Sequence, residues 1–159
     1  TMLSEADLRI LAALHSPTSI TELSDITDYS QSYVSERTSH LERWDLVATT
    51  TQNRSKNVRA LQTPVLEAYR HLTADNSHID FPSLISPSML QLCWFLDSPT
   101  AVRDIEPRLT LRRRRIYQLL EQLQSRGFIT KHNDQYVLTD DLTELAHFAQ
   151  TVRSSVRTY

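Results

Sequence analysis

Two clusters of side chains in this sequence have the types and spacing to grip a polyanion. Arg54, Lys56 and Arg59 lie on and just beyond a polar turn, Gln52-Asn53-Arg54-Ser55-Lys56-Asn57. Arg112, Arg113, Arg114 and Arg115 stand in succession, with Gln118 one helical turn beyond Arg114. Guanidinium groups bind phosphate oxygens in pairs, and Arg and Gln also match the major-groove edges of guanine and adenine. A third set, Ser30, Gln31, Ser32, Tyr33, Ser35 and Arg37, puts small hydroxyls, an amide and a guanidinium at the start of an amphipathic segment. Such groups suit phosphates and base edges of duplex DNA. Glu36 is discordant there, because phosphate repels it unless it accepts from a cytosine amine. A plainer reading stands beside each set: an ordinary polar turn, or a solvated helix face. A charge run does not by itself choose between them.

The elements that must position these groups read in order. Leu3 to Leu14 is an amphipathic helix with Ser4 as its cap. Ser19-Ile20-Thr21-Glu22 has the spacing of a capping box, and Leu23 and Ile26 then form one apolar face. Thr27-Asp28-Tyr29 breaks that helix, and Ser30 caps the next. At 100° per residue, Val34, Thr38 and Leu41 point inward. Ser32, Glu36, Ser39 and His40 then point out, with Tyr33, Ser35 and Arg37 at the flanks. Leu46 to Thr51 is rich in β-branched residues and predicts a strand, with Val58 to Leu61 returning beside it. Pro64 suits the first turn of a further helix, through Leu72.

A helix-turn-helix followed by a basic hairpin resembles the winged helix-turn-helix of MarR-type and related prokaryotic transcription regulators. The likeness rests on Ser30-Gln31-Ser32-Tyr33-Val34-Ser35, on Leu41-Glu42-Arg43-Trp44-Asp45-Leu46-Val47, and on Asn53-Arg54-Ser55-Lys56 before Leu61-Gln62-Thr63. The chain departs from the family pattern at Asn53, where an acid is usual, at Gln62, which interrupts a Leu-Thr pair, and at Asp45, which replaces a common Gly. The resemblance implies a regulator that binds double-stranded DNA. Helix Ser30–Arg43 would enter the major groove, and the wing around Arg54 would rest on the backbone or minor groove. It also implies a homodimer, formed through Leu3–Leu14 or Leu142–Val156, because operators commonly match a two-fold protein.

The second half repeats the first at a shift of 82 residues without gaps. Leu8, Leu14 and Leu41 fall on Leu90, Leu96 and Leu123, and Ser16-Pro17-Thr18 falls on Ser98-Pro99-Thr100. Ile20, Leu23, Val34 and Val47 meet Val102, Ile105, Ile116 and Ile129. A match of this length identifies a repeated unit. In the second unit Ile116, Leu119, Leu120 and Leu123 point inward, while Arg114 and Gln118 face straight out. Its wing is shorter, around His132-Asn133-Asp134. The expected fold is mostly α with small β-hairpin wings: two winged helix-turn-helix domains in tandem, 1–75 and 88–159. Residues 76–87 join them as a linker too apolar to be a free tether.

Composition narrows the function. The net charge of −2 does not advertise nucleic-acid binding, so such a claim rests on local charge. Fifteen of the seventeen basic residues are Arg, a bias that a GC-rich genome or a salt-adapted host also produces. Without a charged-then-apolar leader, and with only Cys93 as a thiol, a cytoplasmic protein is expected, with no membrane span. One Gly in the whole chain leaves no phosphate-cradling loop or dinucleotide fingerprint, and no enzyme signature appears. No cofactor is expected. His71, Asp75, His78 and Asp80 are metal-type ligands, but solvated polar residues are the better reading, because no thiolate or tight pair completes a zinc set. Nothing in the sequence identifies an effector. The expected function is therefore specific duplex-DNA binding in transcription regulation. A protein–protein scaffold of paired winged helices is the alternative.

Overall fold

Five helices begin on a Ser or Thr whose side chain accepts an otherwise free amide of the first turn: Ser4, Ser19, Ser30, Thr63 and Ser86. Caps of this kind stabilise a helix by about 1 kcal/mol each and fix where it starts. The computed structural model describes residues 3–156, with side chains through Ser154. Thr1, Met2 and residues 157–159, which the expected domains include, lie outside the described residues.

The elements are α1 (Glu5–Ala13), β1 (Thr18–Ser19), α2 (Ile20–Thr27), α3 (Gln31–Arg43), β2 (Val47–Gln52), β3 (Ser55–Ala60) and α4 (Pro64–Asp75). A single helical turn, α5 (Phe81–Leu84), follows. Then come α6 (Pro87–Cys93), β4 (Thr100–Ala101), α7 (Val102–Ile105), α8 (Arg113–Ser125), β5 (Ile129–His132), β6 (Gln135–Leu138) and α9 (Thr143–Val156). The order helix, strand, two helices, two strands, helix thus occurs on both sides of α5.

Each expected two-stranded wing has a third strand. β1 pairs with β3 (Thr18 with Val58), and β4 pairs with β6 (Thr100 with Tyr136), giving antiparallel sheets ordered β1-β3-β2 and β4-β6-β5. The fold is therefore winged-helix-like α+β rather than helices with bare hairpins. The extra strands are two residues long, too short to show any period in sequence.

With so little glycine, left-handed backbone falls mainly to Asp and Asn. Asp28 (φ 64°) ends α2, and Asp45 (φ 57°) sits 82 positions before Gly127 (φ 75°). Both hairpins turn through two residues with positive φ, Asn53-Arg54 and Asn133-Asp134, the pattern of a type I′ turn. Asx residues tolerate this region because their side chains bond locally.

One apolar cluster runs through both halves of the chain. In α4 the buried positions are Val65, Leu66, Ala68, Tyr69 and Leu72. The same spacing recurs 80 positions on in α9, as Leu145, Ala146, Phe148, Ala149 and Val152. Between α4 and α6, Phe81, Pro82, Leu84 and Ile85 are also buried, with α5 against α1. α9 is fastened to α6 as well: Gln150 Nε2 donates to the Trp94 carbonyl (3.0 Å) and to Asp97 (3.1 Å), and Arg153 lies 4.4 Å from the Trp94 ring centre. Cys93 is fully buried, and burial pushes its thiol up to about 12, as expected of a core residue rather than a reactive one.

One expectation changes here. Ile26, expected on the apolar face of α2, is 62% exposed, because α2 turns Leu23 rather than Ile26 into the core. The two helices expected to carry a homodimer have their apolar faces inside the chain: Leu8, Ile10 and Leu11 in α1, and Leu145, Phe148 and Val152 in α9, are all buried. No helix among the described residues is long and apolar enough to cross a membrane.

Candidate nucleic-acid interface

The helix–turn–helix of the first half and its wing enclose a groove. Its walls are Ser19, Ile20 and Thr21 from the start of α2, Gln31, Ser32 and Ser35 from α3, and Arg54, Ser55 and Lys56 from the wing. Five residues expected to contact DNA, Gln31, Ser32, Ser35, Arg54 and Lys56, are thus brought together from segments twenty residues apart in sequence. Thr21 and Ser55 join them. They escaped notice because they read as parts of a cap and a turn. No acidic residue is among those lining this groove, and at its edge the Glu22 carboxylate accepts from the Ser19 hydroxyl (3.1 Å).

Strand alternation puts Lys56 and Arg59 on opposite faces of β3. Lys56 shares a face of β3 with buried Val58, and that face looks toward the helices. Beyond the edge of the core, the same face becomes the groove wall. Arg59 lies on the opposite face, exposed, and does not line the groove. Arg54 occupies the second position of the type I′ turn at φ 65°, where Gly is preferred. Among the described residues it is the only left-handed one that is neither Gly, Asn nor Asp. Holding an ordinary side chain there costs about 1–2 kcal/mol, and strain of this kind concentrates where a side chain has a task.

The rest of the α3 set is divided. Ser30 is the cap, accepting from the Tyr33 amide at 3.1 Å. Tyr33 is exposed and meets Tyr29 edge to face, with ring centroids 5.3 Å apart. Arg37 is already engaged within the fold. Its guanidinium is bidentate on Asp7 of α1, Nε to Oδ1 at 2.8 Å and Nη2 to Oδ2 at 2.7 Å. The hydrogen bond to Asp7 raises its pKa further, against the opposing effect of burial. Asp7 is completely buried and also accepts from the Ser4 amide (2.9 Å). Arg37 therefore ties α3 to α1.

In the second half, Arg112 precedes α8 at its cap position without a side-chain cap, and Arg113, Arg114 and Arg115 fill the first turn. All four are exposed, as is Gln118. Arg113 pairs with Glu106 at 3.2 Å; among the described residues no ion pair within 4 Å holds the other three. Cations in the first turn oppose the helix dipole at about 0.3–1 kcal/mol each. An anion at this end reverses the sign. Lys131 on the shorter wing lies 3.9 Å from Asp134, so that wing carries less free positive charge than the first.

The metal-type residues stay dispersed. Among the described residues no group of three or more His, Cys, Asp or Glu side chains is placed to hold a metal ion. No family model matches the chain, and no curated protein does. Among solved structures, a chain of the "Nse1-Nse3-Nse4 complex" is similar over 98% of this chain and 78% of its own length, at 12% identity and a TM-score of 0.28. A likeness at that level decides nothing about function.

Proposed function

We propose that this chain is a sequence-specific regulator of transcription that binds duplex DNA through two winged helix-turn-helix units in tandem, MarR-like in plan. One observation carries the reading: Gln31, Ser32 and Ser35 of α3 and Arg54 and Lys56 of the wing line a single groove with no acid among its lining residues. The base-reading groups lie on a helix, and the cations lie on a hairpin beside it. That division suits a helix in the major groove with a wing on the neighbouring backbone or minor groove. The exposed Arg112–Arg115 run on α8 supplies a second contact.

The wing is tested first. Replacing Arg54 and Lys56 together with Ala is expected to weaken binding to every duplex and to lower the salt slope by up to about two. Affinity and slope equal to the parent's would take the first wing out of the interface. The second unit is tested through Arg114. If it reads a base edge, Arg114→Ala costs about 1–3 kcal/mol on a cognate site and relaxes preference at one base pair. Ser32→Ala should cost less, because a hydroxyl discriminates among bases poorly. Affinities of both variants on cognate and scrambled duplexes at one salt concentration decide this. Parent-like binding by Arg114→Ala would leave α8 without a reading role.

A further inference from the structure

The helix that follows each wing packs against its counterpart from the other half. α4 and α9 run antiparallel: Asn76, just past the end of α4, donates to the Asp141 carbonyl before the start of α9 (3.2 Å), and Tyr69 meets Phe148 midway, with ring centroids 5.4 Å apart. The faces also correspond. The cleft beside this seam is lined by Pro64, Glu67, Ala68 and His71 from α4 and by Glu144, His147 and Thr151 from α9, and all of these but Ala68 pair at a spacing of 80 positions. That is the offset at which the buried positions of the two helices recur. Both helices leave their sheets by the same bond, Leu61 N to Leu46 O and Thr139 N to Phe128 O, each 3.0 Å.

An element that meets its own copy through the same face, running the opposite way, is the signature of a two-fold contact; head-to-tail packing pairs different faces. We infer that the two helix-and-wing units are related by an approximate dyad through the Tyr69–Phe148 seam, so that one chain takes one duplex with two half-sites in inverted orientation. This rests on the DNA reading above. The half-sites differ in sequence, because α3 presents Gln31, Ser32 and Ser35 where α8 presents Arg114 and Gln118. A second copy of the chain is not needed, since the surface that would pair two copies is already closed within one.

The test is selection of the full chain on a pool of random duplexes, followed by affinity and sedimentation on the enriched duplex. The expected motif has two unequal half-sites in inverted orientation, occupied by one chain of 18.4 kDa. Reversing one half-site in place should weaken binding at least about tenfold, as several base contacts are lost together. A single half-site or a direct repeat bound equally well, or two chains per duplex, overturns the dyad while leaving DNA binding intact. Failure to enrich any duplex overturns the DNA reading and the inference with it.

Discussion

Replacing Asp7 with Ala is expected to lower the unfolding free energy by about 3–5 kcal/mol, because it leaves the partly buried Arg37 guanidinium without its carboxylate. Asp7 is completely buried and accepts both arms of Arg37 at 2.8 and 2.7 Å. The second half shows the apolar version of the same site. Eighty-two positions on, Met89 stands third in α6 after its Ser86 cap, as Asp7 stands in α1 after Ser4. Leu119 occupies the place of Arg37, and both apolar residues are buried. Buried ion pairs replaced by apolar residues of similar volume are commonly neutral, or stabilising by about 1–4 kcal/mol. The double variant Asp7→Met, Arg37→Leu should therefore recover most or all of the loss. Urea unfolding of the parent, Asp7→Ala and the double variant checks both statements. A loss under about 1 kcal/mol for Asp7→Ala would mean that solvent reaches Arg37 well enough to make the pair unimportant.

Phe148→Ala is expected to cost about 3–5 kcal/mol, the usual range for removing a fully buried aromatic side chain. Phe148 is fully buried and contacts Tyr69, so the cavity opens where the two halves meet. The apolar cluster is continuous across that seam, and both halves should melt together. Trp44 and Trp94 report on the two halves separately. Trp44→Phe and Trp94→Phe backgrounds, each keeping one indole, should give coincident denaturant curves with and without Phe148→Ala. Separated midpoints in the Phe148 background would show that each half is stable without the seam.

Local signals made much of this legible. Ser19, Ser30 and the Asn53-Arg54 turn carry cap and turn chemistry that acts within a few residues, and each lies where that chemistry puts it. The groove residues on α3 followed from helical period. Arg37 did not, because an Arg on a helix flank looks like solvent-facing charge until its partner is known. That partner, Asp7, lies thirty residues away and reads as a favourable charge at a helix start. A clue was present: 82 positions on, at the expected repeat spacing, stand Met89 and Leu119, apolar types that point to interior positions. Ile26 misled in the other direction, since period alone cannot say which of two apolar residues a short helix buries. β1 and β4 were invisible, as two residues pair through backbone groups that any sequence supplies. The seam between α4 and α9 was hidden for a related reason. An apolar stripe on a terminal helix looks the same whether its partner lies in the same chain or in a second copy.

The central claim is that this surface reads duplex DNA, and it is tested most directly by the salt dependence of binding. Arg54, Lys56, Arg112, Arg114 and Arg115 are exposed or partly exposed and, among the described residues, are held in no ion pair within 4 Å. If each neutralises one phosphate, log K should fall linearly with log salt at a slope of about −4 to −5. A selected duplex should bind at least about a thousandfold more tightly than a scrambled one at the same salt. A slope near zero, with the two duplexes bound alike, would contradict the account and leave a winged-helix scaffold that recognises protein instead.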